Sequence, residues 1–221
     1  QTLSDAIEEY HAKRRAGQTE SIDLHRLLNA FLDVCQAIAY AHSRGVVHRD
    51  LKPDNVALDN FGQVIVLDWG IAKIMSDGEL AIQASLTDRM DTDLILTKTM
   101  AGEVVGTPLY MAPEQALGEL DKVDERTDVF GLGAILYAIL TGHAPHEQST
   151  SESEESSLSE QLKAIAESKI PFPHETVAQA PRELEAVCMR ALNNHRYTRH
   201  ASAKELADDV ERWMAGQNEK H

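Results

Sequence analysis

Apolar residues recur along much of this chain at the spacing of one helix face. Between residues 23 and 43 they are Leu24, Leu27, Leu28, Phe31, Leu32, Val34, Cys35, Ile38 and Ala39, with His42 on the same face. That pattern predicts a long helix with a broad buried face, ended by Gly45. Residues 128–140 are nearly all apolar, from Val129 and Phe130 through Leu132, Ile135, Leu136 and Ile139. A helix apolar all round belongs at the centre of a fold. Further helices are predicted over about 158–167, 181–192 and 202–214, with Pro181 suited to a first turn and Ser202 to a cap. Residues 2–10 predict a short helix capped by Thr2 or Ser4, and the polar stretch 11–20, containing Gly17, reads as a loop.

The period changes in the middle of the chain. Val56-Ala57-Leu58 and Val64-Ile65-Val66-Leu67 are short apolar runs joined by Asp59-Asn60-Phe61-Gly62, the pattern of a β-hairpin. Residues 76–100 are polar and mixed in charge, and a stretch of that length without a period is functional or disordered. Residues 148–159, rich in Ser and Glu, read as a solvated loop. No internal repeat is visible. The expected fold class is mainly α (α+β), with one small hairpin.

Composition narrows the class. A chain of 221 residues with 43% hydrophobic residues fits one domain or one large lobe. It has no apolar run long enough to span a bilayer and no basic-then-apolar leader, so a cytoplasmic location is expected, with room for an anchor elsewhere in a longer parent. Gln1 as the first residue fits a fragment or a processed chain. Cys35 and Cys188 lie among apolar helical neighbours and read as buried thiols, not a disulfide. The net charge of -15 argues against a nucleic-acid groove. Part of it is local, since Glu147 to Glu160 carries five Glu and no Lys or Arg. His143 and His146 flank Pro145 without Cys or carboxylate spacing, and read as surface residues and not as metal ligands.

The candidate chemistry sits just before the hairpin, in His48-Arg49-Asp50-Leu51-Lys52-Pro53-Asp54-Asn55. This loop carries a carboxylate, a cation two residues later and a carboxamide five residues later. The second strand then delivers Asp68-Trp69-Gly70. One Asp to orient a hydroxyl, a Lys for a phosphate, and an Asn with a second Asp for a divalent metal are the parts of a phosphoryl-transfer site.

The string is the protein-kinase catalytic-loop signature, and the assignment rests on that resemblance. With Gly106-Thr107-Pro108-Leu109-Tyr110-Met111-Ala112-Pro113-Glu114 and Arg199 following in order, residues 1–215 resemble the C-terminal lobe of a eukaryotic-type Ser/Thr protein kinase of the kind found in bacteria. The resemblance implies an activation segment at 68–114, an acidic Ser/Glu loop at 147–160 and a tail at 216–221. It implies ATP and Mg2+ as cofactors, with Asp50 as catalytic base, Asn55 and Asp68 on Mg2+, and Lys52 on the γ-phosphate. Asp54 and Ala57 would lie on the nucleotide side, Ala57 under the adenine ring. Thr107, together with Lys52, resembles Ser/Thr and not tyrosine kinases and would position the protein substrate.

Other residues are implied as supports. Glu114 would pair with Arg199, Asp128 would anchor the catalytic loop, and His48 and Trp69 would stack in an internal spine. Arg49 beside the base implies a phosphate clamp, with Thr97 and Thr99 as the nearest acceptors. His48 reads as a buried core histidine and not an acid or base. The sequence departs from the family at Trp69, where Phe is usual, and at His195-Arg196, where Asp-Pro is usual. The larger departure is that no Gly-rich loop, Val-Ala-Ile-Lys strand or partner Glu helix is found, so an N-terminal lobe is expected as a partner in cis. The rival reading is a catalytically silent C-lobe acting as a protein-binding or scaffold module. A small-molecule phosphotransferase is weaker, because the Thr107 to Glu114 segment resembles a peptide-docking platform.

Overall fold

In the computed structural model, residues 1–18, 21–59, 63–69, 73–74, 109–147 and 158–218 are described. Gly70, Thr97, Thr99, Thr107 and most of the acidic stretch lie outside them. In chain order the elements are α1 (Leu3–Arg15), α2 (Ser21–Ser43), β1 (Val46–Val47), β2 (Val56–Leu58), β3 (Val64–Val66), β4 (Lys73–Ile74), α3 (Pro113–Ala116), α4 (Glu125–Thr141), α5 (Leu158–Glu167), α6 (Pro173–Thr176), α7 (Arg182–Ala191) and α8 (Ala203–Asn218). Short 3-10 turns stand at Pro53–Asn55, Leu120–Lys122 and Arg196–Thr198. The architecture is mainly helical.

Helix α4 is the axis. Every residue from Thr127 to Thr141 is buried, as its apolar sequence requires. Its start is fixed by Asp124, whose Oδ1 accepts from Arg126 N at 2.8 Å, while Thr127 Oγ1 accepts from Asp124 N at 3.2 Å. It ends at Gly142, with φ of 79°, where a Cβ would come within 2.9 Å of the His11 ring. Around this axis pack α2, α7 and α8. From α2 come Leu28, Phe31, Val34, Cys35 and Ile38, all fully buried. Each such Leu, Ile or Phe side chain contributes roughly 1.5–3 kcal/mol of burial free energy. Cys35 and Cys188 are free and buried, and burial pushes both thiols up, out of reach of ionisation.

Three local expectations need correction. First, α1 does not stop near residue 10 but continues to Arg15. The polar segment stays helical because His11 is buried and bonds the α4 carbonyl of Ile139 at 3.0 Å, while Lys13, Arg14 and Arg15 complement the helix C-terminus. Second, α8 runs through Asn218, beyond the predicted end at 214, with Trp213 and Met214 packed against the core. Third, the hairpin is accompanied by another ladder. Strands β2 and β3 pair antiparallel in the register Val56↔Val66, Ala57↔Ile65 and Leu58↔Val64, and β1 pairs with β4 as Val46↔Ile74 and Val47↔Lys73. Two-residue strands are too short for their period to show in sequence.

Candidate active site

Strand β1 delivers residues 48–55 to the N-terminal end of α4. There Asp128, 1% exposed, anchors the loop backbone. Its Oδ1 accepts from Arg49 N at 2.8 Å, and its Oδ2 accepts from His48 N at 2.8 Å and His42 Nε2 at 2.8 Å. Gly131, one turn further along α4, lets the loop lie against the helix. A Cβ there would meet Leu51 Cβ at 2.8 Å.

Inside the loop, one carboxylate oxygen is shared. Asn55 Nδ2 donates to Asp50 Oδ2 at 2.9 Å and to the Asp50 carbonyl at 2.8 Å, and Lys52 Nζ lies 3.3 Å from the same Oδ2. The Asp50 and Lys52 side chains keep 36% and 29% exposure, so this pair is open to solvent. A half-exposed pair adds at most about 1 kcal/mol of stability. Its consequence is a fixed direction for the Asp50 carboxylate. Asp54 is exposed at the same turn, and Ala57 is half-buried in β2 opposite Ile65.

Asp68 reaches the loop through Leu67. The β2–β3 pairing extends one step as Leu67 N donates to Asn55 O at 2.8 Å, and His48 Nε2 donates to Leu67 O at 2.9 Å. A carbonyl can only accept and the Asp50 N–H can only donate, so His48 holds its proton on Nε2 and receives Asp50 N on Nδ1 at 3.3 Å. Buried His48 thus ties the Asp50 backbone to the residue before Asp68. Trp69 meets the His48 ring edge-on, with centroids 4.6 Å apart and planes at 63°. It remains 37% exposed and donates Nε1 to Val66 O at 2.9 Å, so its contact with His48 is neither stacked nor fully internal.

Backbone strain collects here. Arg49 at φ 72° and Asp68 at φ 61° are the only non-glycine residues with positive φ among the described residues. Each such conformation costs about 1–3 kcal/mol and persists only when its surroundings over-determine it. At Arg49 the bonds to Asp128 do so; at Asp68 the double hold on Leu67 does.

A second buried cluster braces the site from below. Arg199 donates NH1 to Glu114 Oε1 at 2.7 Å and NH2 to Glu114 Oε2 at 2.8 Å, and Thr127 Oγ1 adds a bond to Oε1 at 2.9 Å. Burial alone would raise the Glu114 carboxyl, but the paired Arg199 guanidinium holds it below the ordinary range. Arg199 also donates Nε to Asn193 O at 2.7 Å and lies over the Phe130 ring at 4.9 Å. The unusual Arg196 pairs with Asp124, the α4 cap, while a 3-10 turn forms around it.

Several contributors were not visible in sequence. Gln115 donates Nε2 to Arg49 O at 2.7 Å, yet it looks like any helix residue in sequence. The sequence puts His42 on a buried helix face, and its bond to Asp128 follows from that face meeting α4. His146 corrects the surface reading. It is fully buried, bonded to Ser168 at 2.9 Å and stacked parallel to Phe130, and burial lowers it to about 4. His143 is exposed beside Glu147 at 3.1 Å.

The site offers oxygen donors for a hard cation, the Asn55 carboxamide and the exposed Asp68 carboxylate. Such a sparse set suits Mg2+, which keeps positions for water and phosphate oxygens. Among the described residues, no cluster of three or more His, Cys, Asp or Glu could hold a metal on its own.

Fold and site together show an Asp–Lys–Asn loop held on a helical core. The chain belongs to the protein kinase domain family, whose model matches residues 3–210. It is 34% identical over 222 residues to the Serine/threonine-protein kinase PknD of Protochlamydia amoebophila, covering 99% of this chain and 22% of that protein. It is 36% identical over 203 residues to the PknD of Chlamydia felis, covering 90% of this chain and 20% of that protein. The chain therefore spans about a fifth of the length of these relatives. Among the described residues, no helix is long and apolar enough to cross a membrane.

Proposed function

We propose that this chain supplies the catalytic-loop half of an active site that transfers the γ-phosphate of ATP to Ser or Thr hydroxyls of proteins in bacterial signalling. In this reading Asp50 orients the attacking hydroxyl and accepts its proton, and Lys52 meets the γ-phosphate. Asn55 and Asp68 would hold Mg2+, which supplies charge neutralisation at the phosphates when bound. Asp54 and Ala57 would border the nucleotide, Ala57 beneath the adenine, and Thr107, outside the described residues, would position the protein substrate. Arg49 would clamp a phosphate on Thr97 or Thr99.

The observation that carries the reading is the shared Oδ2 of Asp50, held between Asn55 Nδ2 at 2.9 Å and Lys52 Nζ at 3.3 Å, while His48 holds the Asp50 N–H and Asp128 holds those of His48 and Arg49. A carboxylate oriented this strictly, yet 36% exposed, suits a general base, for which geometry comes before pKa. The same reading takes residues 1–215 as the lower lobe of a two-lobed domain, with an N-terminal lobe in cis closing the cleft. Exposed Ile65, Leu67 and Trp69 beside the loop suit a face that another lobe covers. The cytoplasm, where ATP and Mg2+ are supplied, is the matching location.

Magnesium-dependent ATP binding by calorimetry, with Asp68→Ala beside the wild-type chain, tests the site. Binding is expected to vanish in the variant. Equal magnesium-dependent binding in both would contradict the role of Asp68, and no binding by a folded wild-type chain would assign nucleotide capture to both lobes together.

A further inference from the structure

We propose that Gln115 is a positioning residue for Asp50, coupling the Ala112-Pro113-Glu114 segment to the catalytic loop; the inference rests on the phosphoryl-transfer reading above. Its carboxamide is used at both ends. Nε2 donates to Arg49 O at 2.7 Å, and Oε1 accepts from Ala112 N at 3.2 Å. The Arg49 carbonyl belongs to the peptide unit whose N–H is that of Asp50. That N–H is taken by His48 Nδ1 at 3.3 Å. The peptide plane that launches the Asp50 side chain is therefore pinned at its oxygen by Gln115 and at its nitrogen by His48.

This plane follows Arg49 in its left-handed conformation, φ 72°, where the backbone would relax if released. Gln115 can hold it because its own helix is fixed. Glu114, the residue before it, is bound by the Arg199 guanidinium through both oxygens and by Thr127. A continuous path of short bonds thus runs from Arg199 through Glu114 and Gln115 to the peptide before Asp50. Its loss would let this peptide rotate and carry the Asp50 carboxylate off the direction set by Asn55 and Lys52, while Asp68 stays tied through Leu67.

The test compares Gln115→Met and Gln115→Glu with wild type in the full-length protein, using Mg2+-ATP and a Ser/Thr peptide library. Methionine keeps the bulk and loses both bonds. Glutamate keeps the acceptor for Ala112 N but turns a second acceptor on Arg49 O, unless it is protonated and can donate. Gln115→Met is expected to lower kcat by about 10–100-fold, with KM for ATP held within about twofold. Gln115→Glu, ionised near neutral pH and unable to donate to Arg49 O, is expected to lose at least as much.

A wild-type kcat in Gln115→Met or in Gln115→Glu would overturn the proposal. Hydrogen–deuterium exchange supplies a readout independent of turnover. The amide of Asp50 should exchange about tenfold faster in Gln115→Met, with α4 amides unchanged. Unchanged exchange at residues 48–55 would overturn the positioning role. If the wild-type protein transfers no phosphate, the phosphoryl-transfer reading fails, and exchange still decides whether Gln115 holds the loop.

Discussion

At the scale of single residues, buried polar groups decide the outcome. Asp128 receives backbone donors from His48 and Arg49 and the His42 ring, all in a nearly dry position. Removing it leaves those donors without acceptors, at about 1–3 kcal/mol apiece. Asp128→Ala is therefore expected to lose on the order of 3–5 kcal/mol in urea denaturation and to abolish the loop geometry. His146 gives a pH signature. Its folded value is lowered to about 4 by burial, against 6.5 unperturbed, so the unfolded chain binds the proton more readily. The associated stability is complete above 6.5 and is lost as pH falls from 6.5 toward 4. Between pH 7 and pH 5 this group alone is expected to cost about 2 kcal/mol. His146→Gln should flatten that part of the slope, measured as urea midpoints at both pH values. His11 and His200, lowered first by burial, act in the same direction. Lowered carboxylates such as Glu114 and Asp209 instead lose their contribution as pH falls through their folded values, below the ordinary carboxylate range.

At the scale of elements, the site depends on close approach between a loop and a helix. Gly131→Ala places a methyl 2.8 Å from Leu51 Cβ and 3.4 Å from its carbonyl, so either the loop or α4 must shift. The expected cost is about 1–3 kcal/mol in denaturant melts, with a further fall in nucleotide-dependent activity because Leu51 follows Asp50. This scale also shows what sequence can reveal. Helix α2 was legible from its apolar period, and α4 from an almost unbroken apolar run. The hairpin was legible from two apolar runs. The helical reach of α1 past His11 was not, because the reason for it is a distant carbonyl, Ile139 O. Within the loop, Asp50, Lys52 and Asn55 are close in sequence, so their spacing brings them together. Gln115 acts across the fold with nothing in its local sequence to mark it, and His42 is marked as buried but not by its partner Asp128.

At the scale of the whole molecule, two braced layers meet at one loop. The Glu114–Arg199 pair fixes the lower layer, and α4 carries both that brace and the Asp128 anchor. The β2–β3 hairpin brings Asp68 in from the other side through Leu67. The strained residues Arg49 and Asp68 lie where these supports converge. On the function proposed above, this convergence aims Asp50 at a hydroxyl for phosphoryl transfer. Its most direct test is the rate of γ-phosphate transfer from ATP to Ser/Thr peptides by the full-length protein, wild type beside Asp50→Asn, with the fold of both checked by circular dichroism. Transfer by wild type and a loss of roughly 10²–10⁴-fold in kcat for the variant is the predicted result. A folded variant that transfers phosphate at the wild-type rate would rule out Asp50 as the base.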